Sequence, residues 1–163
     1  MNHKISFQPL AKAGECKLII KIMPLLNYTT KISVEKTLGE IQRMLVLNGA
    51  KSVLSEYDDN GYIIALSFII NVNDQSMAIR LPSDWRPVLK IMEDDRKTPN
   101  SFCNQEQALR VAWRIIKDWV EAQMAILQTK MVKIEQIFLP YIITNNNQTI
   151  FEKFEENKQK LLN

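Results

Sequence analysis

The run Asn104–Lys130, NQEQALRVAWRIIKDWVEAQMAILQTK, decides the fold, because it is the longest helical pattern in the chain. Asn104 is placed to cap it, and Gln107, three residues on, to return a bond to the cap. Two apolar stripes then run side by side. One is Leu109, Trp113, Ile116, Val120 and Leu127; the other is Ala108, Val111, Ile115, Trp119, Ala122 and Ile126. Both repeat at three and four residues, which is the helical period. At about 100° per residue they merge into an apolar arc of roughly 200°, about twice what a surface helix needs. Such a helix must be covered on more than one side, by a sheet plus another helix or by a second subunit. Gln123 falls inside the arc and needs a polar partner there. The remaining strip holds Arg110, Arg114, Lys117, Asp118, Glu121 and Gln128. It reads either as a basic strip for phosphates or as a solvated face laced by the i,i+4 pairs Arg114–Asp118 and Lys117–Glu121.

Outward from this helix, the N-terminal side supplies a meander. Ser33 or Thr37 is placed to cap a helix ending at Leu47, with Leu38, Ile41 and Leu45 inward and Asn48-Gly49 as its stop. Lys51–Tyr57 alternates, Asp58-Asp59-Asn60-Gly61 turns, and Tyr62–Val72 is rich in β-formers. Asn73-Asp74-Gln75 turns again into a third strand carrying Met77, Ile79 and Leu81. On the middle strand Tyr62, Ile64, Leu66, Phe68 and Ile70 form one face, and Ile63, Ala65, Ser67 and Ile69 are also fairly apolar. The middle strand is therefore expected to be covered on both sides or to lie at an interface. Ser83, with Asp84 behind it, is placed to cap a further helix whose Trp85, Val88, Leu89 and Met92 point inward, Pro87 being tolerated only in a first turn.

On the C-terminal side, Met131–Thr144 reads as an extended piece that Pro140 confines to an edge or loop. Asn145-Asn146-Asn147 turns, and Thr149 with Glu152 opens a charged last helix docked by Phe151 and Phe154. The expected architecture is α+β: a three-stranded antiparallel meander, with an added edge strand as an option, packed against helices around one long central helix. The expected organisation is an N-terminal extension over 1–30, a core domain over 31–144 and a charged helix over 145–163. The extension is expected to be poorly ordered or packed at a sheet edge, with Lys17–Met23 as an edge strand or a basic arm, and Met23 is an alternative start. Its apolar run Leu18–Leu26 is broken by Lys21 and Pro24, too short to span a membrane and unlike a signal peptide.

The composition removes several chemistries. The only histidine, His3, lies in the extension, which excludes histidine-based dyads and triads and most zinc sites. Cys16 and Cys103 stand far apart without a CxxC, so no disulfide framework is expected. Four glycines form no Walker loop and no GxGxxG. The net charge of +3 resides entirely in the first 22 residues, leaving a neutral body. Any nucleic-acid site must therefore be a local patch. Glu56, Asp58, Asn60 and Gly61 match the start of a calcium loop, but Ser67 stands where its bidentate glutamate belongs and the flanks are strands, so a hairpin turn is expected. Glu93-Asp94-Asp95 reads as helix-end and loop solvation.

The most suggestive segment is Arg80-Leu81-Pro82-Ser83-Asp84-Trp85-Arg86-Pro87, two arginines and a tryptophan at a strand-to-helix corner. Arginine beside an aromatic holds a phosphate and a base. The competing reading makes Trp85 core and pairs the arginines with Glu56, Asp58 or Asp84.

The runs KTLGEIQRML, NGAKSV, EYDDNGYIIALSF, RLPSDWRPVL, EQALRVAWRIIKDWVEAQMA and IFLPY, spread over Lys36–Tyr141, resemble small uncharacterised proteins carried by tailed phages and prophages. That resemblance implies a phage or prophage origin and action in a bacterial cytoplasm; it assigns no site residue and no activity. The leading expectation is a non-enzymatic accessory protein that binds nucleic acid or a nucleotide through Arg80, Trp85, Arg86, Arg110, Arg114 and Lys117. The alternative is an interaction or structural module acting on a phage or host protein, with homo-oligomerisation expected from the wide helix arc and the two-sided strand. No cofactor and no membrane partner is expected. An enzyme would have only carboxylates such as Glu56, Asp58 and Asp94 to work with, alongside a metal.

Overall fold

The computed structural model describes residues 25–161. The Lys17–Met23 strand, His3, Cys16 and the start at Met23 lie outside them. The first helix, α1 (Val34–Leu47), begins where Ser33 accepts the Lys36 N–H at 3.3 Å and ends at Asn48, with Gly49 at φ +99°. Thr37 is inside the helix, not its cap: it is buried, and its hydroxyl donates to the Ser33 carbonyl. Leu38, Ile41 and Leu45 form the buried stripe.

Strands β1 (Ala50–Tyr57), β2 (Ile63–Val72) and β3 (Gln75–Leu81) follow as an antiparallel meander in the order β1-β2-β3. The Asp58 carboxylate turns the first hairpin by accepting the N–H groups of Asn60 and Tyr62, with Gly61 at φ +81°. Asn73 and Asp74, at φ 50° and 63°, close the second. Simple alternation fails at one place on β2. Tyr57 pairs with Ile63 but Glu56 pairs with Ala65, so Ile64 is an extra, bulged residue. The bulge reverses the faces: Ile63 enters the core and Ile64 points out, half exposed. From Leu66 onward one of the two apolar faces, Leu66, Phe68 and Ile70, packs on the core, while Ile69 on the other is exposed. A second irregularity at Lys51 likewise lets both Ala50 and Val53 face the core.

After the corner, α2 (Arg86–Asp94) starts later than its sequence signals indicate. Trp85 is the residue before it and Pro87 sits in its first turn. Ser83 does not cap it; its hydroxyl donates to the Ile64 carbonyl, tying the corner to the bulge. Trp85, Val88, Leu89 and Met92 do turn inward. The central helix, α3 (Gln105–Gln128), is capped by Asn104, which accepts the Gln107 N–H at 2.9 Å.

The wide arc of α3 is covered within the chain, by α1 and the sheet on one flank and by α2 on the other. Because α2 is only nine residues long, it covers Ala108, Val111 and Ile115 but not the end of that stripe. Ala122 is therefore exposed, and Met124 is buried on the other flank. Gln123 is only half-buried; the buried amide is Gln107. Its Nε2 does not return to Asn104. It donates at 2.9 Å to the carbonyls of both Tyr28 and Thr30. Asn27 donates to Asp118 at 2.8 Å, and Tyr28 meets Phe102 edge-on, so the packing of the domain reaches back to this segment along α3. Gln107→Leu leaves both carbonyls without their donor and is expected to cost about 1–3 kcal/mol. Faster amide exchange across residues 25–32 should accompany the loss, and an unchanged denaturation midpoint would refute it.

Beyond α3 the expected extended piece is mostly helical: α4 (Ile134–Phe138), then a 3-10 turn over Leu139–Tyr141. The fully buried Phe138 pulls it against Phe68 and Trp119. Ile142 and Ile143 make the strand-like contacts: Ile142 bridges Ile79, and the Ile143 N–H donates to Ala78, covering the β3 edge. The last helix, α5 (Ile150–Leu161), has the reciprocal cap its sequence predicts, Thr149 and Glu152 each accepting the other's N–H. Phe151 and Phe154 do not dock; both are exposed, while the start of the helix is tied to the body where the Ile150 N–H donates to the Ile142 carbonyl.

Candidate functional site

A cavity of about 550 Å³ opens between the first half of α1, the end of the β1–β2 hairpin and the start of α3. That volume suits a small ligand. Its floor is Val34, Leu38, Ile63 and Leu109; its polar walls are Glu35, Gln42, Glu106 and Arg110; Tyr57 and Tyr62 stand at its rim, both exposed. Three local features make the opening. The Ile64 bulge turns Ile63 inward to the floor. The Asp58 turn brings both tyrosines to one end of the hairpin. Gly39 leaves a gap on α1, since a Cβ built there meets no atom within 4 Å.

The charges in this cleft are arranged. Arg110 pairs with Glu106 and reaches the Gln107 side-chain oxygen at 3.2 Å. The Glu35 carboxyl lies below its ordinary 4.5, chiefly because its own backbone N–H donates to it, then through the Ser33 hydroxyl; slight burial opposes this and the Arg110 charge adds to it. Glu35 is thus ionised at neutral pH. Two carboxylates and one guanidinium leave the cleft with a formal charge of −1.

The structure separates the six residues singled out from the sequence. Arg110 lies in the cleft. Trp85 and Arg86 line a smaller hollow of about 170 Å³ with Ile63, Ile64, Ser83 and Asp84. There Arg86 is largely exposed and lies 3.6 Å from Asp84, while Trp85 packs against both apolar clusters. Arg80 is not at that corner: its guanidinium donates to the carbonyl and side-chain oxygen of Asn147. Arg114 joins Glu40 of α1 at 2.5 Å rather than Asp118, because α1 approaches α3 there. Lys117 pairs with Glu121 at 2.5 Å, as its spacing predicts. Each cation on the α3 strip therefore carries an acidic partner.

The cleft residues that sequence reading passed over are Glu35, Gly39, Gln42, Tyr57, Tyr62 and Glu106. One signal was available: two tyrosines flanking a hairpin turn. Among the described residues no three His, Cys, Asp or Glu side chains gather at metal-binding distance, and no helix is long and apolar enough to cross a membrane. The chain matches no family model, no curated protein and no solved structure.

Proposed function

We propose that this chain is a non-enzymatic binding module that seats the base and sugar of a nucleotide, or of a nucleic-acid strand end, in the cleft between α1, the β1–β2 hairpin and α3. The observation that carries this reading is the meeting of an apolar floor, two rim tyrosines and four hydrogen-bonding side chains in one 550 Å³ space. A nucleobase stacks on tyrosine or arginine, and its edge offers N–H donors to carboxylates and amides. The carboxylates Glu35 and Glu106 also accept from sugar hydroxyls. The net negative charge directs phosphates out of the cleft. The resemblance of Lys36–Tyr141 to phage and prophage proteins supplies the setting, an accessory protein acting in the cytoplasm of a bacterial host.

The test is calorimetric titration of the full chain with the common nucleosides and their 5′-monophosphates. A nucleoside is expected to bind at least as tightly as its monophosphate. Tyr62→Ala should weaken binding by about 1–3 kcal/mol, the range for one base stacked on an aromatic. Gly39→Leu is the sharper variant. It fills the gap on α1 and should abolish binding while raising stability by up to about 1 kcal/mol, since leucine forms helix more readily than glycine. No heat with any nucleoside, or unimpaired binding by Gly39→Leu, would overturn the proposal.

A further inference from the structure

The meander has a second face. Opposite the core, β1 presents Ser52, Leu54 and Glu56, β2 presents Ala65, Ser67 and Ile69, and β3 presents Ala78 and Arg80. Ser55 lies on the other side, where Gln42 of α1 donates to it, which fixes the alternation. None of the outer residues belongs to either apolar cluster; Ala65 and Ser67 are already buried in the single chain, whereas Leu54 is 59% and Ile69 38% exposed. Ile69 is exposed on the middle strand, Leu54 stands on β1, and the two edge strands carry opposite charges. Glu56 on β1 has no ion pair among the described residues. Arg80 on β3 is held by the neutral Asn147, so among the described residues its charge also has no ion pair.

We infer that this outer face is the interface of a two-fold dimer, with a second copy of this chain as its occupant. A closed isologous dimer needs one self-complementary patch. A two-fold axis running along the strands, midway between two facing sheets, reverses the strand order and keeps the level. It lays β1 of one copy over β3 of the other. Glu56 then meets the partner's Arg80, and the same pair forms again on the far edge. The Glu56–Ala65 and Ser67–Arg80 rows are two residues apart on β2. That is about 7 Å along the strand, within reach of two long side chains. Ile69 on the middle strand then faces the partner's Ile69 across the axis, and Leu54 lies over the partner's Arg80, against its aliphatic stem, at the spacing of stacked sheets.

Sedimentation velocity on the full chain tests this with three variants: Arg80→Glu, Glu56→Arg and the double exchange. The wild type is expected to be dimeric in the micromolar range. Each single exchange places like charges together twice and should weaken association by about tenfold or more. The double exchange should restore it. Ile69→Asp, which sets two carboxylates face to face across the axis, should also yield monomers that keep the wild-type circular dichroism. A monomeric wild type, single exchanges that dimerise as the wild type does, or a double exchange that fails to recover despite a native spectrum would overturn the inference.

Discussion

Trp113→Ala is expected to lower the free energy of unfolding by about 3–5 kcal/mol, the range for deleting a buried aromatic. Trp113 is the largest fully buried side chain, in the middle of α3, where α1, the sheet and α4 converge in one cluster. No neighbouring element can collapse into the space without dragging the others. Domains of this size are typically stable by about 5–15 kcal/mol, so the variant should retain a fold but melt far earlier. The indole N–H adds a second test, for among the described residues it is buried without an acceptor. Trp113→Phe discards that unpaired donor while keeping most of the ring, and should cost less than half as much. Chemical denaturation of both variants measures this. A loss below about 1 kcal/mol for the alanine variant would mean that the convergence is not there.

Phe138→Ala should cost a similar amount, about 3–5 kcal/mol, and it reports on a different junction. Its ring lies edge-on to Phe68 at 5.6 Å and to Trp119 at 5.7 Å, and Trp119 in turn meets Tyr141 at 5.5 Å. Such pairs contribute about 0.5–1.5 kcal/mol each beyond the area they bury. Phe138 is the only fully buried residue of α4, so its loss should free α4 and the Ile142–Ile143 edge from the body. Hydrogen exchange should rise across 134–143, and the near-ultraviolet signal of Trp119 should change. Unaltered exchange in that segment would show that α4 is held by something else.

These two residues mark where the sequence was legible and where it was not. Trp113 lies on a stripe that repeats at three and four residues, so its burial could be read from periodicity alone. Phe138 lies in five helical residues closed by Pro140, too short to show a period, and the extended reading failed there. Parity on β2 failed for a related reason. The Ile64 bulge is a mismatch between two strands, and neither strand contains it by itself. The cleft inherits both limits. Its tyrosines border a visible turn, but Ile63, Gly39 and Glu106 come together only through the bulge and the approach of α1 to α3. Arg114 and Gln107 were each assigned a partner within four residues, and each found one across the fold, in Glu40 and in the carbonyls of Tyr28 and Thr30.

The sequence alone determined the α+β class, the order of the main elements, the caps at Asn104 and Thr149, and the turns at Asp58–Gly61 and Asn73–Asp74. Each depends on groups a few residues apart, whose geometry the local chain dictates. The tertiary structure alone decided which face of β2 is buried at Ile63, where the buried amide of Gln107 bonds, which cations are neutralised, and that a cleft exists. Those outcomes depend on polar and apolar groups distant in sequence meeting at hydrogen-bond and van der Waals distance, and no local period encodes that.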